Sequence, residues 1–162
     1  MKKYANLIVT AFFIAAAFYM PSTVMADSGS LIWGKWKFIG YIYGGQFQDP
    51  PNPNLVLTFE FRQDGTDTLH WHRTNEVGFC ERYGQFTYDG KELTDEITSV
   101  HPGNAFECYH DPDMMVGQTH TTPLRNDNDR LYMDLPLSDQ TLVYVWAKQP
   151  DLFQRNRFPI LE

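Results

Sequence analysis

The sequence predicts an all-β protein, an antiparallel up-and-down barrel of about eight or nine strands, with a β-sandwich as the alternative. Three observations carry this prediction. Apolar and polar residues alternate with the period of two that is typical of strands. Turn signals such as Asp64-Gly65 and Asp89-Gly90 separate the alternating segments at short intervals. No segment after residue 26 has a convincing helical period. A meander of hairpins has two unpaired edges, and closure into a barrel removes them.

The predicted strands differ in how many faces they bury. In segment 55–62 every odd-numbered residue is Leu or Phe, whereas the even-numbered positions include Thr, Glu and Arg, so this strand buries one face. Segment 141–148 is apolar on both faces, which indicates a strand covered on both sides. Gly and Pro mark a loop over residues 44–54. The predicted strands are residues 31–43, 55–62, 66–73, 79–88, 91–100, 105–110, 118–124, 130–137 and 141–148.

The first 26 residues have the layout of a secretory signal peptide. Lys2 and Lys3 form a positively charged start, and residues 7–20 are apolar apart from one threonine. Val24-Met25-Ala26 then supplies a cleavage site. The apolar run is short for a membrane span, which needs about 20 residues. We therefore expect cleavage before Asp27.

Cleavage would define the domain organisation and the compartment. We predict a signal peptide at residues 1–26, a barrel domain at 27–148, and a tail at 149–162 that packs on the barrel. No later segment is long and apolar enough to span a membrane. The mature protein is thus expected in the periplasm or secreted from the cell.

Composition and motifs exclude several function classes. The 162 residues are 43% hydrophobic and 20% charged, which is typical of one globular domain. The net charge of −7 argues against a nucleic-acid partner, because phosphate binding needs clustered Lys and Arg. The sequence has no GxSxG, no HExxH and no Gly-rich phosphate loop. We predict no catalytic residues, no cofactor and no enzymatic activity.

Cys80 and Cys108 are the two cysteines of the chain. Export would make a disulfide between them the expected state. The two positions meet only if both lie at the same end of the barrel, because strand middles two strands apart are about 9–10 Å apart. Cys80 begins its predicted strand and Cys108 follows the Pro102-Gly103 break, which places both at one end.

Gly34-Lys35-Trp36 begins the first predicted strand and resembles the Gly-x-Trp signature of lipocalins and related calycin barrels. In that family the tryptophan closes one end of the barrel and packs against a basic residue near the last strand. The resemblance therefore implies structural roles for Gly34 and Trp36, with Lys148, Arg155 or Arg157 as the basic partner. The chain is also similar to small lipocalin-like proteins of unknown function that bacteria export. The family's Thr-Asp-Tyr loop motif is absent.

The resemblance implies non-catalytic binding of a small apolar or amphipathic ligand in the barrel mouth. Among the aromatic residues, we predict Phe47, Trp71 and Tyr83 as contacts for that ligand. The alternative is a barrel filled by its own side chains. Such a barrel would serve as a protein-interaction or inhibitor-like module, with loops 44–54 and 111–117 as the surface that contacts the protein partner.

Two further features suggest more specific chemistry. His70 and His72 project to the same face at the period of a strand, which suits two metal ligands. Because Trp71 between them is expected in the core, both would face outwards, and periplasmic zinc binding is a lesser alternative. Asp95 falls between Leu93 and Ile97 on the apparently inward face. There it would have a raised pKa and orient a ligand, unless a bulge turns it outwards.

Overall fold

The computed structural model describes residues 28–137 and 140–150, and it shows an all-β fold. The only helical segments in this part of the chain are short 3-10 helices. No helix found there has the length and hydropathy to cross a membrane. The strands are β1 (Gly34–Tyr43), β2 (Gln46–Gln48), β3 (Leu55–Phe61), β4 (Thr66–Arg73), β5 (Phe79–Tyr88), β6 (Glu92–Val100), β7 (Thr119–Asp127), β8 (Arg130–Leu137) and β9 (Gln140–Lys148).

Pairing between β1 and β9 closes the sheet into a barrel. Strands β3 to β9 are neighbours in chain order, and β1 pairs with both β3 and β9. All of these pairings are antiparallel. The short β2 pairs with β1 outside the closed ring of eight strands. The predicted barrel is confirmed, and the β-sandwich alternative is wrong.

Gly40 allows β1 to bend between the part that pairs with β3 and the part that pairs with β2. The register between β1 and β9 shifts between Phe38 and Gly40, and Gly40 has a φ of 150°. A Cβ at this position would lie 2.3 Å from the carbonyl oxygen of Gln48. The glycine therefore serves both the bend in β1 and the close approach of β2.

Several predicted boundaries need correction. The predicted first strand, 31–43, begins only at Gly34, because Ser28–Leu31 form a 3-10 helix. The predicted loop 44–54 contains β2. Strand 118–124 runs instead from Thr119 to Asp127.

The predicted strand 105–110 is wrong. This stretch is the 3-10 helix Phe106–His110, and a second 3-10 helix, Pro112–Met114, follows it. Cys108 is buried while its neighbours on both sides are exposed. This pattern resembles the alternation of a strand, which explains the wrong prediction. Local hydrogen bonds over three residues, such as Cys108 N–H to the Ala105 carbonyl at 3.1 Å, replace the strand ladder. We refer to residues 106–114 as the 106–114 segment.

Trp36 closes one end of the barrel. Its side chain is fully buried, and its Nε1 donates a hydrogen bond to the Ile32 carbonyl at 2.7 Å. The ammonium of Lys148 lies 5.1 Å from the centroid of the Trp36 ring, within the range of a cation–π contact. Lys148 thus occupies the place of the basic partner that the resemblance implied. Arg155 and Arg157 lie outside the described residues, as do the predicted signal peptide and all of the predicted tail beyond Pro150.

The predicted disulfide between Cys80 and Cys108 is confirmed. The two Cα atoms are 5.6 Å apart, and both residues are buried. They form a small second core with Met114, separate from the main core of the barrel. The disulfide therefore holds the 106–114 segment against the start of β5.

Replacing both cysteines by serine is expected to destabilise the protein by about 3–4 kcal/mol, because the disulfide restricts a long loop in the unfolded chain. Urea denaturation of the oxidised protein and of C80S/C108S would measure the difference. Barrel formation itself should survive in the double variant, as judged by far-ultraviolet circular dichroism. Equal unfolding free energies for the two proteins would contradict this expectation.

Candidate ligand-binding cavity

A cavity of about 420 Å³ occupies the end of the barrel opposite Trp36. Its walls come from the strands around the barrel, and the 106–114 segment contributes to its mouth. Most of the lining is apolar. The lining residues are Leu55, Leu57, Phe59, Leu69, Trp71, Arg73, Arg82, Leu93, Asp95, Asp111, Asp113, His120, Thr122, Met133, Leu135, Tyr144 and Trp146.

Aromatic rings form much of the apolar wall. Phe59, Trp71, Tyr144 and Trp146 all line the cavity. The rings of Phe59 and Trp146 have centroids 6.0 Å apart, and Tyr144 packs 4.8 Å from Phe38. Because these rings are fixed by core contacts behind them, the wall is largely formed before any ligand enters.

A buried ionic cluster lies inside the barrel beside this wall. Arg82, Asp67 and Asp95 have exposed fractions of 4%, 0% and 4%. Nη1 of Arg82 donates to Oδ1 of Asp67 at 3.1 Å and to Oδ1 of Asp95 at 3.3 Å, and Nη2 donates to Oδ2 of Asp95. We call these three residues the Arg82 cluster. Arg82 and Asp95 reach the cavity surface.

Gly84 makes room for the two carboxylates. It is paired with Asp67 across β4 and β5, and it follows Arg82 by two residues, on the same face of β5. A Cβ at Gly84 would lie 2.6 Å from Oδ2 of Asp67 and 2.6 Å from Oδ1 of Asp95. The absence of a side chain at this position is therefore a condition for the Arg82 cluster.

Burial, together with the negative charge of Asp95, raises the pKa of Asp67 to about 7 against the opposing effect of Arg82. One guanidinium thus faces two carboxyl groups, and Asp67 holds its proton near neutral pH. The cluster changes from neutral to net negative as Asp67 ionises.

Three polar atoms of the lining lack a hydrogen-bond partner among the described residues. They are Nε of Arg82, Nε1 of Trp146 and Nε2 of His120, all buried. Buried polar groups are normally hydrogen-bonded. The three residues line the cavity, but these particular nitrogens lie behind its surface.

Two aspartates of the 106–114 segment stand at the mouth. The carboxylate of Asp111 accepts a hydrogen bond from the Asp113 N–H at 2.9 Å and so caps the second 3-10 helix. Met114 anchors the segment in the core around the disulfide. Partial burial raises the pKa of Asp113, and the negative charge of Asp111 raises it further, although the side chain keeps access to solvent.

Of the three predicted ligand contacts, one lines the cavity and two do not. Trp71 lines the cavity. Phe47 lies on β2 with 49% of its surface exposed, outside the lining. Tyr83 lies on the outer face of β5, where its hydroxyl donates to the carboxylate of Glu81.

Asp95 lies inside, as its position between Leu93 and Ile97 predicted. Sequence reasoning missed Arg82 as its partner. The available signal was the alternation of β5, in which Arg82 shares a face with Cys80 and Phe86.

His70 and His72 are on the outer face of the barrel. Nδ1 of His70 lies 2.9 Å from Oε2 of Glu81, and Nε2 of His70 lies 3.2 Å from Nδ1 of His72. Within residues 28–137 and 140–150, no group of three or more His, Cys, Asp or Glu side chains is arranged to hold a metal ion. Zinc binding by this pair remains a prediction.

Comparison with solved structures identifies the fold. A lipocalin-like protein from Bacteroides uniformis ATCC 8492 is similar to this chain with a TM-score of 0.51 and 15% identity, and the match covers 74% of this chain and 99% of that one. An uncharacterized protein from Bacteroides eggerthii DSM 20697 has a TM-score of 0.45 and 19% identity, with 72% and 98% covered. No protein-family model and no curated protein matches the sequence. The chain has the fold of a lipocalin-like barrel.

Replacing Gly84 by alanine is expected to destabilise the protein by about 1–3 kcal/mol, because the new methyl group must displace two buried carboxylates. Urea denaturation would measure the loss. Gln85→Ala is the matched control, since Gln85 is exposed on the outer face of the same strand and should change stability by less than about 0.5 kcal/mol. A Gly84→Ala variant as stable as the control would show that the carboxylates do not need this space.

Asp67→Asn is expected to change how stability depends on pH. The pKa of Asp67 is about 7 in the fold and 3.8 ordinarily, so the native state binds the additional proton between these values. Ionisation of Asp67 therefore lowers the free energy of unfolding as the pH rises from about 4 to 7. Asparagine cannot ionise, so D67N should gain stability relative to wild type over that range and hold the gain above it. Urea denaturation at several pH values would test this, and a difference that stays constant or shrinks would refute it.

Proposed function

We propose that this protein binds a small amphipathic molecule, without catalysis, in the cavity at the open end of the barrel. The observation that carries the proposal is the cavity itself, about 420 Å³ in volume and lined mainly by Leu, Met and aromatic side chains. Pockets for small molecules have volumes of roughly 300–1,000 Å³ and a lining of this kind, with a few polar groups that fix orientation. The ligand is small, because the volume lies toward the lower end of that range.

The polar side chains of the lining support an amphipathic ligand over a purely apolar one. Asp111, Asp113 and Thr122 lie in the lining together with the apolar residues. A hydrocarbon that covered these polar groups would remove them from water without giving them a partner, which costs free energy. A ligand with a polar group at one end would pair with them.

The construction of the mouth supports a preorganised site. The disulfide and the buried Met114 hold the 106–114 segment on the barrel. A segment that is already ordered loses little conformational freedom when a ligand binds. The disulfide also fits the proposed location in the periplasm or outside the cell.

Interaction with a protein partner is the second candidate function. Large apolar side chains near the open end are exposed, among them Val77, Phe106, Tyr109 and Val116. Val116 belongs to loop 111–117, which the sequence predicted as a contact surface, and exposed Phe47 belongs to loop 44–54. A partner could cover this apolar surface.

A variant that fills the cavity tests the proposed function. Thr122 lines the cavity, whereas its neighbour Thr121 is exposed on the outer face, with its hydroxyl 3.1 Å from that of Thr94. We expect Thr122→Trp to weaken binding of the neutral fluorescent probe N-phenyl-1-naphthylamine by at least about tenfold, because the indole occupies the space of the ligand. Thr121→Trp adds the same group outside and should bind the probe as wild type does.

Fluorescence titration of the purified, oxidised proteins would measure both affinities. Equal binding by wild type and Thr122→Trp would place the probe elsewhere and contradict the proposal. Native mass spectrometry of protein isolated from its own host, followed by solvent extraction, would then identify the natural ligand. A protein that carries no small molecule and binds no probe would favour the second candidate function.

A further inference from the structure

The charges around the cavity are not balanced. Arg82 is paired inside the barrel with Asp67 and Asp95. Arg73, at the edge of the cavity, pairs with Glu76 at 2.9 Å. Asp111 and Asp113 form no salt bridge with any described residue, and both line the cavity. The mouth therefore has a surplus of negative charge.

The pKa values of Asp67 and Asp113 are raised by the same two physical causes. Burial is the first cause for both Asp113 and Asp67, and the charge of a second carboxylate is the next, from Asp111 in one case and from Asp95 in the other. At Asp113, Arg82 and His120 oppose the effect of Asp111, and at Asp67, Arg82 opposes the effect of Asp95. In each pair, however, the two carboxyl groups repel each other when both are charged. A positive charge placed in the cavity would relieve this repulsion, and a negative charge would increase it.

The aromatic lining of the cavity also favours a positively charged ligand. The faces of Trp, Tyr and Phe rings attract cations, and sites for quaternary ammonium groups are commonly built from several such rings. Phe59, Trp71, Tyr144 and Trp146 surround the cavity. Low-dielectric walls also strengthen the field of the carboxylates at the mouth.

We propose that the ligand is a cationic amphiphile, with an amine or quaternary ammonium group held near Asp111 and Asp113 and an apolar body among the aromatic rings. This proposal rests on the proposed function, since it assigns the chemical class of the ligand for the same cavity. It excludes fatty acids and other anionic amphiphiles as the preferred ligands.

The guanidinium of Arg82 does not reverse this preference. Its terminal nitrogens already donate hydrogen bonds to Asp67 and Asp95, and its Nε is buried. An anionic group of a ligand would also lie near the carboxyl group of Asp95, which lines the cavity.

Three probes, each with an eight-carbon chain, separate charge from apolar burial. Octyltrimethylammonium is cationic, octanol is neutral and octanoate is anionic. Isothermal titration calorimetry with the oxidised protein at pH 7.5 and low ionic strength would measure each affinity. We expect octyltrimethylammonium to bind at least about tenfold more tightly than octanoate, with octanol between them. The preference should decrease as salt is added, because the carboxylates at the mouth are partly solvated.

Variants that remove the charges of Asp111 and Asp113 test whether these residues cause the preference for the cationic probe. The double variant D111N/D113N keeps the size of both side chains and the capping group at residue 111. It should lose most of the preference for the cation and bind octanol as wild type does. Asp127→Asn is the matched control, because Asp127 is exposed at the last position of β7, at the closed end of the barrel, and it should keep the full preference.

Each outcome has a definite meaning. Equal binding of all three probes, or tightest binding of octanoate, would overturn the cationic class and leave the proposed function standing. A cation preference that persists in D111N/D113N would overturn the assignment to these two aspartates. Failure of all three probes to bind, octanol included, would instead contradict the proposed function itself.

Discussion

The structure around the cavity depends on one buried arrangement, in which Arg82 holds Asp67 and Asp95 inside the barrel. Removing charged groups from water is costly unless they are paired. The cluster meets this condition with hydrogen bonds from both terminal nitrogens of the guanidinium, in the space that Gly84 leaves open. Replacing the three residues by apolar ones would give an ordinary filled core. The cluster instead sets polar atoms beside an aromatic wall, and this combination is what makes the cavity amphipathic.

The two ends of the barrel are built differently, and the cavity lies at the end opposite Trp36. At one end Trp36, Ile32 and the first 3-10 helix fill the interior, and Lys148 covers the indole ring. At the other end the cavity opens, and a separate small core around the disulfide holds the 106–114 segment beside it. The apolar wall of the cavity belongs to the main core, since Phe59, Leu93 and Trp146 are part of both. The mouth is instead positioned mainly by a covalent link.

Much of the fold could be predicted because the relevant signals are local. The alternation in segment 55–62 and the Asp-Gly turns specify hairpins, and nearly all the hairpin-paired strands were predicted within a few residues of their observed bounds. Residues 105–110 were mistaken for a strand, because a single buried cysteine between exposed residues gives the same pattern in a strand and in this 3-10 helix. Of the predicted ligand contacts, Trp71 reaches the cavity. Phe47 and Tyr83 lie elsewhere, since an aromatic residue alone does not indicate which face it occupies.

The sequence by itself determined the class of fold, the disulfide and the inward position of Asp95, because period, turn chemistry and cysteine count act over short stretches of chain. Only the tertiary structure decided that the barrel is partly hollow, that Arg82 meets two aspartates from neighbouring strands, and that Asp111 and Asp113 stand at the mouth. These properties arise from the curvature of the closed sheet and from contacts across it. They depend on distances between residues far apart in the chain, which no local pattern encodes.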